Sequence, residues 1–413
     1  MRQSGDMGGE ALRAALAAVT APAAQARGLP STLYTDERLL AAERQALFDS
    51  TWACLGFEAD VPAPGDVCPV DLQGRPLLLL RDGDGAIRVF ENVCRHRGMR
   101  LVTVSGRVRT TLRCPYHSWC YDLTGALRST PHAGGPGKAE CATLERESLG
   151  LLAVRSACWM GLVFVNLDGT APAFEAHVAP LAARWRPFMQ QPLFADPAET
   201  GFELEVGCNW KLAVENYCES YHLPWIHPGL NRYSRLEDHY NILEPGRFAG
   251  QGTRVYAPTL DESGGRFPAF AGLPESWRTL GEYVALFPNV LLGAHRDHAF
   301  AMLLLPQGMA RTRERTLIWY ADSAALGPDF AGLRERHRAL WREVFDEDVA
   351  AVEGLQAGRA APGFDGGRFA PAMDEATHGF HAWAASRLLA QGENETAGGG
   401  RAAPAERSSI VAG

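Results

Sequence analysis

A basic excess is missing from this 413-residue chain, in which 40 Lys and Arg stand against 48 Asp and Glu for a net charge of −8. No global field therefore draws it to a phosphate backbone or an anionic lipid surface, and neither nucleic acid nor a membrane is expected as a partner. Long apolar runs are missing as well: the longest uncharged stretches, 14–26, 156–167 and 283–294, fall short of the ~20 residues that span a bilayer. The first of them ends in Ala-Gln-Ala, as a signal peptide does, but Asp6 and Glu10 stand where a cationic start belongs, and the location is read as cytoplasmic. A disulfide framework is missing, because nine Cys at uneven spacing in a chain this long fit a reducing compartment with one or two special thiol groups. There is also no Gly-rich phosphate loop and no dinucleotide fingerprint, so the chain does not itself bind a nicotinamide in the usual way.

What is present is a globular composition, 46% apolar and 21% charged, with 43 Gly and 26 Pro that favour strands and loops over a helical bundle. Residues 1–28 and 391–413 have little apolar periodicity and are expected to be mobile and disordered ends. Residues 29–50 read as an N-terminal helix capped by Thr35, with an apolar series through Leu39, Leu40, Leu47 and Phe48 to Trp52. From 51 to 167 the signals are those of a small all-β domain. Pro76–Leu80 and Ile87–Phe90 flank an Asp-Gly-Asp-Gly turn, Trp119–Arg128 repeats the theme around Gly125, and Gly161–Leu167 closes as a buried strand. The region 168–390 is α+β: Asn209 caps a helix expected to end near His222 or Leu223 because Pro224 follows, and a long helix begins after Gly327-Pro328-Asp329.

The strongest chemical signal is Cys94-Arg-His96-Arg-Gly98, followed by Cys114-Pro-Tyr-His117-Ser-Trp119. Each arm offers one thiolate and one imidazole. Zinc sites usually carry like residues on each arm, whereas this mixed pairing suits a two-iron cluster with both Cys on one iron and both His on the other. A structural zinc is the alternative. The remaining cysteines, 54, 68, 120, 141, 158, 208 and 218, lack such spacing and read as buried small hydrophobes.

A second constellation lies in Glu215-Asn-Tyr-Cys-Glu219-Ser-Tyr-His222-Leu-Pro224-Trp-Ile-His227. Glu215, Glu219 and His222 are spaced for one helical face, and Pro224 turns the chain so that His227 returns toward His222. A mononuclear iron(II) centre for oxygen chemistry needs a carboxylate beside two such imidazoles. Asp348 is the choice by periodicity, lying four residues after Val344 and four before Val352 in the apolar stripe, while Asp346 and Glu347 point off it. A carboxylate buried there needs a cation, either a metal or an Arg. His295 and His298 read better as strand residues than as ligands. A Glu375-x-x-His378 partner to Glu219-x-x-His222 in a di-iron bundle would leave the Cys and His arms unexplained. His132, His177, His239, His337 and His381 read as ordinary surface or core residues.

With these two motifs in this order, the chain resembles the Rieske non-haem iron oxygenase α subunits over nearly all of its folded body. The resemblance implies an antiparallel β Rieske domain inserted in a helix-grip (START-like) α+β catalytic domain. It implies a 2Fe–2S cluster on Cys94, His96, Cys114 and His117, and a mononuclear Fe(II) on His222, His227 and Asp348. It further implies O2 as co-substrate, a separate NAD(P)H-dependent reductase acting directly or through a ferredoxin, and a homotrimer. In that ring Glu219 bridges His222 to a Rieske histidine of the neighbouring subunit. Most aromatic-ring dioxygenases of the family carry Asp at that position. Glu219 is similar instead to the branch oxidising quaternary-ammonium substrates such as carnitine and glycine betaine.

Cation–π recognition of such a substrate would draw on Tyr217, Tyr221, Trp225, Tyr233, Tyr240, Tyr256, Trp277, Tyr283 and Phe287. The runner-up substrate is an aromatic acid held by Arg232, Arg235, Arg254 or Arg296. The rival from another class is a Rieske electron carrier without oxygenase activity, which has no reason to bury His222, His227 and Asp348.

Overall fold

The computed structural model describes residues 9–260 and 264–397. The leucine run forms strand Arg75–Arg81, which turns across Asp82–Ala86 into Ile87–Glu91 and pairs on its other side with Asp66–Leu72. Because side chains alternate along a strand, Leu77 and Leu79 enter the main core, whereas Leu78 and Leu80 enter a second, smaller one with Phe90, Cys94, Cys114, Trp119 and Tyr121. A strand buried on both faces explains an unbroken apolar run. The smaller core is completed by a three-stranded sheet of Thr111–Arg113, Cys120–Asp122 and Leu127–Ser129.

A third sheet sets Leu162–Asn166 between Ala53–Phe57 and Arg155–Trp159. It is tied to the rest of the chain by the buried Asn289, whose amide accepts from Cys54 N at 2.8 Å and donates to Cys54 O at 2.9 Å.

The larger unit is a seven-stranded antiparallel sheet in the order 201–206, 312–320, 298–306, 290–294, 281–286, 248–253 and 239–244. Helices Trp210–Cys218, Ala331–Arg359 and Glu375–Ala397 pack on it and on each other. The long helix presents Leu333, His337, Trp341, Phe345 and Val352 inward, as its stripe requires. Residues 44–49 precede the β unit in sequence yet pack on helix Glu375–Ala397, so the β unit is an insertion in an α+β body, as anticipated.

Several expectations for the ends are corrected. The stretch read as a mobile N-terminus contains a helix, Gly9–Val19, that buries Leu16 and Val19 and packs on Glu375–Ala397; residues 1–8 lie outside the described residues. Alanine-rich segments lack a wide apolar stripe, and two contacts suffice here because a partner helix is at hand. The helix expected to be capped by Thr35 is a continuous helical run over 37–49, of mixed 3-10, α and π geometry, capped by Asp36 and preceded by a separate turn. Thr35 ends Thr32–Thr35, and the side chain of Asp36, in extended conformation, accepts from Arg38 N to start the next turn. At the other end the helix continues to Ala397, through the first residues of the expected tail, and 398–413 lie outside the described residues. Of the seven remaining cysteines, Cys54, Cys208 and Cys218 are buried. Cys158 is exposed and Cys68, Cys120 and Cys141 are half-buried, the first three on strands at the surface of the β unit and Cys141 in a loop.

Lys211 and Glu43 form a fully buried ion pair at 2.6 Å, and Trp210 Nε1 donates to the same carboxylate at 2.9 Å. Removing one member of such a pair leaves a charge without a partner at a cost of about 3–5 kcal/mol. Lys211→Met is therefore expected to lower the denaturant midpoint sharply, and Lys211→Met with Glu43→Gln to recover part of the loss, as a double-mutant cycle would measure.

Candidate metal centres

The two Cys and His arms are folded alike. In the first, Cys94 N donates to Met99 O at 2.8 Å and Gly98 N to Cys94 O at 3.0 Å; in the second, Cys114 N donates to Trp119 O at 2.8 Å and Ser118 N to Cys114 O at 3.0 Å. Gly98 and Ser118 hold equivalent places, four residues after each Cys, and both have positive φ, 76° and 57°. The glycine signals this turn in sequence. The serine does not.

The loops bring the His96 and His117 rings to 4.7 Å between centroids, and His96 stacks on Trp119 at 4.6 Å. Cys94 and Cys114 face the smaller core, while His96 is exposed and His117 half-buried. Burial pushes the Cys94 thiol above its ordinary value, partly offset by the Tyr121 hydroxyl 3.3 Å from Sγ, so a thiolate here needs cationic compensation. His117 Nδ1 is buried without a hydrogen-bond partner among the described residues. An orphaned imidazole nitrogen, on a loop that carries Cys114 and beside His96, fits a metal cluster and fits a purely structural loop poorly.

At the second constellation the helix ends earlier than its Pro224 signal implied. Trp210–Cys218, capped by Asn209, stops because Glu219 is extended (φ −126°, ψ 161°) and its carboxylate accepts from the backbone N–H groups of Tyr221 and His222. Pro224 then sits in the first turn of a new helix, Leu223–Ile226, where its missing N–H costs nothing. Glu215 consequently does not share a face with His222. It is buried with Tyr34, Arg359 and His381, and the last two overcome the effect of burial and hold its pKa at about 2.

His222 and His227 converge with ring centroids 5.1 Å apart, and Asp348 Oδ1 lies 3.7 Å from His222 Nε2 and 3.0 Å from His227 Nε2. These three ligand atoms lie within 4.8 Å of one another, and the set could hold a metal ion. Among the described residues Asp348 Oδ1 is itself buried without a hydrogen bond, and no Arg pairs with it in place of a cation.

Each imidazole is held at Nδ1 by a second carboxylate, His222 by Glu219 at 2.6 Å and His227 by Glu347 at 2.7 Å, which directs both Nε2 atoms at the Asp348 side. Glu347 corrects the reading that it points away. The periodicity describes which residues face the sheet, and His227 approaches the helix from its flank. Burial lowers the His227 pKa, but Asp348 and Glu347 outweigh it and hold the imidazole above its ordinary value.

The interior beside the long helix collects part of the aromatic inventory. Trp341 stacks on Tyr256 at 6.0 Å and meets Tyr283 at 6.1 Å; Tyr233 lies against Tyr256 and Tyr217 against Tyr283. Trp341 also belongs to the apolar stripe of the long helix. Tyr240 and Phe287 are engaged elsewhere, with Glu282 and with Phe380 and Trp383, and Trp277 with Phe188. Tyr221 and Trp225 are exposed beside Glu219, Trp225 by 69%.

Among the arginines, Arg235 pairs with Glu237, Arg254 lies over Tyr240 and Arg296 pairs with Asp297, while Arg232 is exposed. His295 and His298 do not continue one strand. They flank the turn between Val290–Ala294 and His298–Pro306, with stacked rings 4.3 Å apart. A cleft of about 1040 Å³ between Glu43, Asp71 and Arg315 touches neither constellation; beside Asp348 the free volume is only about 20 Å³.

Residues 51–145 match the Rieske 2Fe–2S domain, and residues 198–390 match the catalytic domain of the ring-hydroxylating alpha subunit. The glycine betaine monooxygenase oxygenase subunit of Chromohalobacter salexigens is 27% identical over 402 residues, covering 88% of this chain and 86% of its own. In fold the chain is similar to the quaternary ammonium Rieske monooxygenase CntA in complex with L-carnitine, with TM-score 0.70 at 22% identity, covering 91% of this chain and 98% of that one. It is equally similar to naphthalene 1,2-dioxygenase of a Rhodococcus species, with TM-score 0.73 at 20% identity, covering 94% and 100%. No helix among the described residues is long and apolar enough to cross a membrane. Two family matches in tandem, each containing one of the two constellations, place the chain among the Rieske non-haem iron oxygenases, enzymes that incorporate molecular oxygen with a 2Fe–2S cluster, a mononuclear iron and electrons from a reductase partner.

Proposed function

We propose that this chain is a terminal oxygenase component that hydroxylates a small quaternary-ammonium compound next to nitrogen, giving a carbinol that collapses by C–N cleavage. Cys94, His96, Cys114 and His117, within a Rieske unit of residues 51–167, would hold the cluster. His222, His227 and Asp348, in the catalytic unit 168–390, would hold the iron. The cluster supplies one-electron transfer and the mononuclear iron supplies oxygen activation. The chain's own residues then do the positioning. Glu219 and Glu347 fix the ring orientation and tautomer of the two histidines, holding a proton at each Nδ1. Tyr217 and Phe345 close the interior beside Asp348, and the aromatic cluster that continues from Tyr217 through Tyr283 to Trp341 and Tyr256 would offer ring faces to a cation that has no hydrogen-bond donor.

The observation that carries the substrate reading is this wall of Tyr217, Tyr233, Tyr256, Tyr283 and Trp341, from which the four candidate arginines are absent. An aromatic acid would bury its carboxylate there beside His295 and His298 with no arginine, and burial holds His295 well below its ordinary pKa and so uncharged.

The reading includes a homotrimer in the cytoplasm, served by an NAD(P)H-dependent reductase directly or through a ferredoxin, with Glu219 reaching toward a Rieske histidine of the neighbour. Two exposed apolar patches support the subunit contact: Met99 and Tyr116, the latter 56% exposed, beside the cluster loops, and Tyr221 with Trp225 beside Glu219. The test is substrate-dependent oxygen uptake with a surrogate reductase, setting carnitine, glycine betaine and choline against benzoate- and salicylate-type acids. Coupled uptake with a quaternary ammonium compound is expected; coupled turnover of the acids alone would overturn the reading.

A further inference from the structure

A second cleft, of about 610 Å³, lies where the chain enters and leaves the inserted β unit and shares no lining residue with either metal constellation. Its walls are residues 50–52, parts of 171–177, the hairpin turn at 245–247 and one face of helix Glu375–Ala397. Trp52, Phe287 and Trp383 line it, the last two with ring centroids 4.9 Å apart. No Asp or Glu is among its lining residues, in a chain that carries 48 of them, whereas Arg247 and Arg387 are.

Both guanidinium groups are half-buried and bonded only to neutral acceptors. Arg387 Nε donates to Ala46 O at 3.2 Å, and its Nη2 to Ser50 O at 3.0 Å and Ser50 Oγ at 2.6 Å. Arg247 Nη1 donates to the carbonyls of Ala176 and His177. Arg387 Nη1 and the Nε and Nη2 of Arg247 have no acceptor, and neither residue has an ion-pair partner, among the described residues. A third cation backs the wall: Arg155 lies 4.7 Å from the Trp52 ring and donates to the carbonyls of Ala171 and Pro172. His177 Nε2 is buried without a hydrogen-bond partner among the described residues. The carbonyl contacts account for one edge of each guanidinium, and the other edge is left as a planar donor pair beside apolar surface, the arrangement that receives a carboxylate.

We infer that this cleft binds a small apolar organic acid as its anion, the carboxylate accepting from the open edge of Arg387 and the hydrocarbon body lying on Phe287 and Trp383. Trp383 and Arg387 are one helical turn apart and so share a face, which puts an apolar floor and a donor side by side. Arg247, whose carbonyl accepts from Phe287 N at 3.0 Å, adds positive potential next to the same floor. The inference goes beyond the proposed function and is independent of its substrate, because none of these residues belongs to the iron site or to the aromatic cluster near it. A ligand held here touches both connections to the β unit and the helix of the catalytic body at once, so it binds the native arrangement and stabilises it.

The experiment is calorimetry on the intact, iron-loaded protein under anaerobic conditions, with hexanoate and 3-phenylpropanoate set against hexanamide, 3-phenylpropanamide and acetate. The amides keep the body and lose the charge; acetate keeps the charge and loses the body. Each acid is expected to bind about tenfold or more tightly than its amide and than acetate, and to raise the melting temperature. Ser386→Glu, which places a competing carboxylate on the exposed rim of the cleft, should weaken the acids by about tenfold or more, and Ser386→Gln by about twofold or less. Arg387→Met should abolish the preference for acid over amide. Because Arg387 also holds the carbonyls of Ala46 and Ser50, the Ser386 pair keeps the test decisive should that variant fail to fold. Equal affinity for acid and amide overturns the inference, and so does acid binding that is blind to Ser386→Glu, which would place the acid elsewhere on the protein. Absence of binding overturns it as well; if Ser386→Glu then also lowers the sedimentation coefficient, a second copy of the chain covers the cleft instead.

Discussion

Asp348→Ala is expected to abolish turnover, by more than about a thousandfold, while leaving the optical and EPR signature of the Rieske cluster intact. Among the described residues Asp348 supplies the carboxylate that lies with both Nε2 atoms, and without it two imidazoles lack an anion to complete the set. Iron content should fall from about three to about two per chain, since a cluster with two Cys and two His keeps its own pair of irons. The cluster is insulated from the change because Cys94 and Cys114 belong to the smaller core and Asp348 faces the other unit. Cys114→Ser and His117→Ala should behave in the opposite way, losing the signature and keeping the third iron. Full activity with normal iron in Asp348→Ala would show that another carboxylate, Glu347 first among them, completes the site.

Glu219→Gln should retain all the iron and lose activity by about 10–100-fold, the usual size of effect for a group that orients a metal ligand. The side chain does three things at once: one oxygen holds His222 Nδ1 at 2.6 Å, and the other takes the backbone N–H groups of Tyr221 and His222. An amide preserves an acceptor for the turn but not the negative charge beside the ring. Stopped-flow oxidation of the reduced protein, with oxygen and glycine betaine present, is the measurement that separates the two contributions. Slower oxidation with unchanged iron content and thermal stability assigns the charge a part in electron delivery; an unchanged rate would restrict Glu219 to capping the turn.

The parts of the fold legible in the sequence are those with a period or a marked turn. The four leucines before Asp82-Gly-Asp-Gly, the hairpin around Gly125 and the stripe from Leu333 to Val352 are each legible as elements. The stripe singled out Asp348 as a carboxylate in an apolar setting, and the structure places it between the two imidazoles. Illegible were contacts made across long stretches of chain, because no local pattern records them. Glu347 is 120 residues from His227, and Glu215 owes its position to His381 and Arg359 and not to its helical spacing from His222. Pro224 misled because a proline disfavours the preceding residue's helical geometry but suits the start of a new turn, and only the extended Glu219 reveals which applies.

The strand Arg75–Arg81 has a consequence for how the two units could ever be exchanged. Its odd leucines, 77 and 79, complete the interior of the catalytic body, and its even ones, 78 and 80, complete the surroundings of the cluster cysteines. A module boundary drawn along the sequence therefore does not coincide with a boundary between cores. A chimera that imports the Rieske segment of a relative imports part of the catalytic interior with it, and successful grafts should be those in which the shape of residues 77 and 79, more than that of the cluster loops, agrees with the recipient. Lineages that recombine the redox unit freely would have to conserve one face of this strand and vary the other, a one-residue alternation of constraint within a run of identical amino acids.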